Sequence, residues 1–223
     1  MKTWTTLFAV ALLSGGTAVC ATGAPAMPSH GMAMAAAANG DTATVVAPKL
    51  HAALRSLWNG HVVHTRDYAL AVQAHDAAKA KLAADAVVTN AKQLADAVAS
   101  FYGKPAGEAM LTLLAGHWTG VKDLTDARAK NDTAAQSKAM AALNTNVNAI
   151  AKFLAGANPN LPESAVQGLL AAHVAHHATQ IQQIMSGDMK GEQTTWTAMQ
   201  QHMDVIADAL AGAIAKQFPA KAS

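Results

Sequence analysis

Displaced by 56 residues against itself, this sequence superposes His61 on His117 and His173, Leu57 on Leu113 and Leu169, and Asp76 on Asp132 and Asp188, without a gap. Leu94, Ile150 and Ile206 fall in the same register, as do Ala95, Ala151 and Ala207. Alanine matches come cheaply in an Ala-rich chain, but histidine, leucine and aspartate recurring at one offset do not. Self-similarity at a fixed period restricts the fold to what one supersecondary unit can build by packing on copies of itself. The offset predicts three units over about 51–106, 107–162 and 163–218, in one helical domain over 49–219.

Each unit reads as an antiparallel helical hairpin. In the first helices the apolar face carries Leu54, Leu57, His61, Tyr68 and Val72, then Met110, Leu113, His117, Val121 and Leu124, then Val166, Leu170, His173, His177 and Ile181. Steps of three and four put these side chains on one face of a helix. The second helices give Val87, Ala91 and Leu94, then Leu143, Val147 and Ile150, then Met199, Met203 and Ile206. No alternating strand pattern occurs. Turns are expected at His75-Asp76, Asn131-Asp132 and Gly187-Asp188, with the aspartate capping the second helix. Breaks at Gly103-Lys104-Pro105 and at Asn158 to Pro162 separate the hairpins. The predicted fold is all-α, a six-helix bundle of three pseudo-repeated hairpins. Trp58, Trp118 and Trp196 are expected to anchor its packing.

The first residues read as an address. Lys2, the apolar run Leu7–Leu13 and the small residues from Ser14 to Ala18 have the layout of a secretory signal peptide over 1–21. The apolar run is too short to span a bilayer. Cleavage is expected after Ala21, with Ala24 and Ala26 as alternatives. Lipidation at Cys20 is disfavoured because Val19 stands where a small residue is wanted. The expected compartment is therefore extracytoplasmic, periplasmic or secreted. Cleavage at Ala21 removes the only cysteine, and with it any disulfide, thiolate ligand or thiol nucleophile. Residues 22–48 are rich in Ala, Pro, Gly and Met and too poor in large apolar side chains to offset their ordering entropy, which predicts a flexible tether. Met27, His30, Met32 and Met34 within it are of a type that suits Cu(I), although methionine is also common filler in such segments.

Folding each hairpin about its turn sets His61 opposite Asn90, His117 opposite Asn146 and His173 opposite His202. Two readings follow. In one, these pairs satisfy each other as buried polar layers that fix helix register, in a structural or protein-interaction module of the cell envelope. In the other, histidines spaced three or four apart on a helix turn toward one metal ion. The pairs His61 and His64, His173 and His176, and His173 and His177 have that spacing, and His202 adds a nitrogen across the third hairpin. Imidazole suits zinc, copper or nickel, and Met199 and Met203 near His202 would favour copper. The expected metal ligands are His173, His177, His202, His176, His61 and His64, and the expected ion is Zn or Cu. The second unit argues against a ligand pair of its own, since Gly120 and Val121 stand where a companion histidine would be.

Other functions find little footing. The formal charge is +2, charged residues make up 13% of the chain, and the basic ones form no run or aromatic-flanked stripe, which excludes a nucleic-acid footprint. Glycine-rich phosphate loops are missing. A ferritin-like di-iron centre needs Glu-x-x-His on two helices, and none of Glu108, Glu163 and Glu192 stands three before a histidine. There is no HExxH, no Cys-x-x-Cys-His and no G-x-S-x-G elbow. Haem held by His173 and His202 is a minor alternative. With no nucleophile, paired carboxylates or cofactor motif to name, a non-enzymatic binding protein is expected, whose protein partner the sequence does not identify.

The string LWNGHVVHTR at Leu57–Arg66, with LLAGH at Leu113–His117, LLAAH at Leu169–His173 and IADALAGAIAKQFP at Ile206–Pro219, resembles a group of uncharacterised bacterial secreted or envelope helical proteins. The resemblance covers nearly all of the array. It implies an all-helical fold and nothing about mechanism, and His64, His176, His177 and His202 have no counterpart in its pattern.

Overall fold

A computed structural model describes residues 46–222. The signal peptide expected over 1–21, with Cys20, and the tether up to residue 45, with its Met27–Met34 cluster, lie outside the described residues. Among the described residues seven helices run in order: α1 (Pro48–Gln73), α2 (Ala77–Tyr102), α3 (Lys104–Ala129), α4 (Thr133–Ala157), α5 (Glu163–Ser186), α6 (Met189–Gln217) and the single turn α7 (Pro219–Ala222). There is no strand among the described residues, and the fold class is all-α. None of the described helices is long and apolar enough to cross a membrane.

The turns follow from local chemistry. Asp76, Asp132 and Asp188 cap α2, α4 and α6, their carboxylates accepting from the main-chain N–H of Lys79, Ala135 and Gly191, each at 2.9 Å. The residue before each cap is in the left-handed region, with φ of 55° at His75, 55° at Asn131 and 76° at Gly187. Only glycine and, to a lesser degree, asparagine reach that region cheaply, so His75 carries backbone strain that its two counterparts avoid. Pro48 starts α1 where a missing N–H costs nothing. Ala47, within the segment expected as tether, is buried against Ala215 and Ala222.

The helices α1, α3 and α5 pack on one another, and each of α2, α4 and α6 lies against two of them: α2 against α1 and α3, α4 against α3 and α5, α6 against α5 and α1. Apolar side chains from all six meet in one core, with Val62, Leu124, Leu143, Ile184 and Met199 almost wholly buried. Trp58 and Trp118 are core residues, while Trp196 is partly buried beneath the Arg66 guanidinium, 5.0 Å from its ring centre. A buried polar junction ties α1, α5 and α6 together. The Arg66 Nε and Nη2 donate to Glu192 at 2.6 and 2.8 Å, and the Gln180 amide donates to the same carboxylate at 2.8 Å. Glu192 is 1% exposed, and the Arg66 hydrogen bond holds its carboxyl below the usual range despite burial.

Candidate metal centre

Where α1, α3 and α5 meet, they bring four imidazoles together: His61 from α1, His117 from α3, and His173 and His177 from α5. All four are at most 4% exposed. One ring nitrogen from each lies within 4.8 Å of one from every other. The His61 ring centre stands 5.8 Å from that of His117 and 5.7 Å from that of His173, and His117 stacks on His173 at 5.5 Å. His173 and His177, one turn apart on the same helix face, approach to 3.1 Å between their Nε2 atoms.

This junction is poorly satisfied by the protein itself. His61 Nε2, both nitrogens of His117, and His173 Nδ1 are buried without a hydrogen-bond partner. The contact between His173 and His177 can satisfy one nitrogen on each ring, yet in either tautomer His173 Nδ1 keeps a buried proton or lone pair with nothing to meet it. Most buried polar atoms in folded proteins are paired, and an orphan costs about 1–3 kcal/mol. Burial drives all four rings toward the neutral form. It pushes His61 down to about 3 and His117 down to about 4, and it holds His173 and His177 well below the ordinary histidine value, with the neighbouring histidines adding repulsion. A neutral imidazole has a free lone pair, the form in which histidine binds a metal.

The level expected to pair His61 with Asn90 and His117 with Asn146 is present: the Asn146 side chain is near enough to His117 to work against the effect of burial on its ring, but the N–H groups of both amides are directed elsewhere. Asn90 Nδ2 donates to the Leu57 carbonyl and Asn146 Nδ2 to the Leu113 carbonyl, each at 2.9 Å. Four residues before each histidine, that carbonyl is close enough because Gly60 and Gly116 lack side chains. A Cβ there would stand 3.0 and 3.1 Å from the amide nitrogen. The third level has Ala172 in place of glycine and the longer His202 in place of asparagine, whose Nε2 lies 2.8 Å from the Leu169 carbonyl.

Of the residues expected as ligands, the structure thus gathers His61, His173 and His177. It sets His176 and His202 apart as a half-buried pair, ring centres 5.4 Å from each other, between α5 and α6. His64 lines a groove between α1 and α2 with Asp67 and Lys79. His117 is the member missing from the expected set. The expected ligand pairs carry a second histidine three or four residues on, and α3 has Gly120 and Val121 there. A Cβ at Gly120 would stand 2.8 Å from the buried Leu143 side chain, while Val121, which aligns with His177, is a core residue. The 56-residue alignment of His61, His117 and His173 was the signal that could have found it.

No family model, curated protein or solved structure matches this chain.

Proposed function

We propose that the protein is a non-enzymatic, extracytoplasmic metal-binding protein that holds one transition-metal ion, Zn or Cu, through His61, His117, His173 and His177. The observation that carries this reading is the set of four buried imidazoles with one ring nitrogen each within 4.8 Å of the others, three of the rings holding a nitrogen without a hydrogen-bond partner. Four nitrogen donors suit a tetrahedral zinc ion or copper. In a tetrahedron with metal–nitrogen bonds of about 2.0–2.1 Å the donors stand about 3.3 Å apart, so the rings must turn inward on binding. On this reading three pseudo-repeated hairpins contribute one histidine each at a shared level, and His177 supplies the fourth. The location rests on the expected signal peptide, and it agrees with the resemblance to secreted or envelope proteins.

A structural reading has one observation in its favour: the contact between His173 and His177 is internal to the protein. It leaves His61 Nε2 and His117 without partners, which a purely structural layer would not tolerate cheaply.

Calorimetric titration of the tag-free, metal-stripped full chain with Zn(II) and Cu(II) tests the proposal. One tightly bound equivalent, lost in His61→Leu/His117→Leu, is the expected result. No saturable heat from either metal, or a tight equivalent that survives the double exchange, would overturn it.

A further inference from the structure

At the position occupied by Asn90 and Asn146 the side chain donates an N–H to a carbonyl of the preceding helix. His202 performs the same task at the third level, with Nε2 at 2.8 Å from the Leu169 carbonyl. A carbonyl only accepts, so Nε2 carries the proton and Nδ1 of the neutral ring is left as a bare lone pair. A histidine that donates one N–H to a main-chain carbonyl is the arrangement that fixes ring orientation and tautomer in metal ligands generally. Asparagine, which serves elsewhere, offers no such nitrogen.

The second ring is in place. His176 stands with its centre 5.4 Å from that of His202, and both are half-buried, open on one side to solvent. Neither belongs to the buried cluster, yet both border it. His176 directly precedes His177, and His202 contacts Leu169, four residues before His173. The positions aligned with His176 are His64 on α1 and Gly120 on α3, and those aligned with His202 are asparagines, so only the seam of α5 and α6 has histidine at both.

We propose that His176 and His202 form an outer two-nitrogen site that captures a transition-metal ion and passes it to the buried centre. The buried donors need such a station, since four side chains at most 4% exposed offer an aqueous ion no direct approach. Two imidazoles leave the remaining coordination positions to water, so the ion sheds its hydration in stages rather than at once. The transfer half of this proposal rests on the buried centre proposed above, whereas the outer site stands by itself.

The test uses the tag-free, metal-stripped full chain, Zn(II) as the probe, and three proteins: wild type, His176→Gln/His202→Gln and His61→Leu/His117→Leu. Glutamine at 202 keeps an N–H donor at nearly the reach of Nε2, so the Leu169 bond and the melting temperature should be retained. If the double variant nevertheless melts early, His176→Gln alone carries the test, because His176 holds no such bond. In calorimetry the wild type should show two classes of site, the outer-site variant only the tight one, and the cluster variant only the weak one. In rapid mixing against a chromophoric zinc chelator, the outer-site variant should fill the tight site severalfold more slowly while reaching the same occupancy. Equal stoichiometry and equal loading rates in wild type and outer-site variant would overturn the proposal, and loss of the weak class with an unchanged loading rate would overturn the capture role. Should the buried centre be the part that fails, a single weak class would persist in wild type and cluster variant alike and vanish in the outer-site variant.

Discussion

Arg66 on α1 grips Glu192 on α6 through two hydrogen bonds, of 2.6 and 2.8 Å, although 126 residues separate them in the chain. The carboxylate is almost fully buried and the guanidinium is 23% exposed, so the pair closes the packing of the first long helix on the last. Removing only the cation strands a buried charge. Arg66→Ala should therefore destabilise the protein by about 3 kcal/mol, at the lower end of what breaking a buried pair costs. Urea denaturation at neutral pH checks this, and a loss below about 1 kcal/mol, the range of exposed pairs, would show that the junction is solvated.

The pH dependence of the metal-free protein follows from its buried imidazoles. In the unfolded chain a histidine titrates near 6.5, whereas burial holds His61 at about 3 and His117 at about 4, and His173 and His177 also lie well below 6.5. Between those values the unfolded state binds protons that the folded state refuses, so stability falls as pH drops below about 6.5. Each such group contributes a slope of up to about 1.4 kcal/mol per pH unit. Denaturation midpoints measured in chelator from pH 7.5 to 4.5 should decline steadily from about 6.5 downward. A flat profile over that window would mean that the rings are solvated or already protonated in the native state.

Exchange of one cluster histidine separates function from stability. His117 has no partner for either nitrogen, so His117→Leu removes two orphaned atoms of a kind that cost about 1–3 kcal/mol each. The metal-free variant should be at least as stable as the wild type, while the rise in melting temperature produced by Zn(II) should be lost. Stability gained where a ligand is lost is the usual trade at a binding site. A metal-free variant several kcal/mol less stable than wild type would instead favour the structural reading.

Gly120 tests the close packing of α3 against α4. Alanine has about 1 kcal/mol better helix propensity, yet its Cβ would stand 2.8 Å from two carbons of Leu143, which is fully buried. Overpacking of this kind costs about 1–3 kcal/mol, so Gly120→Ala should lower the melting temperature. Gly120→Ala combined with Leu143→Ala should lose less than the sum of the two single changes, and simple additivity would argue against the contact.

Much of this architecture is written in local pattern. Helical periodicity marks six long helices because their apolar faces recur every three to four residues, and Asp76, Asp132 and Asp188 announce the second helix of each hairpin through capping chemistry that needs only three neighbouring residues. The site is less legible because its geometry is tertiary. Spacing on α5 pairs His173 with His177, but equally pairs His173 with His176, and only the packing of α1, α3 and α5 decides which ring faces inward. Antiparallel folding places Asn90 at the level of His61, yet the acceptor it meets is the Leu57 carbonyl, exposed to it by Gly60. The partner of Arg66 lies on another hairpin, beyond the reach of any local rule.

X-ray absorption on the zinc-loaded protein reads the atoms around the ion. With the outer site removed by His176→Gln/His202→Gln and one equivalent of Zn(II) bound, the proposed buried centre should give a shell of four nitrogens at about 2.0–2.1 Å, with the multiple-scattering signature of imidazole rings. That signal should fall apart in His61→Leu/His117→Leu. A shell dominated by oxygen, or a four-imidazole shell that persists without His61 and His117, would contradict it.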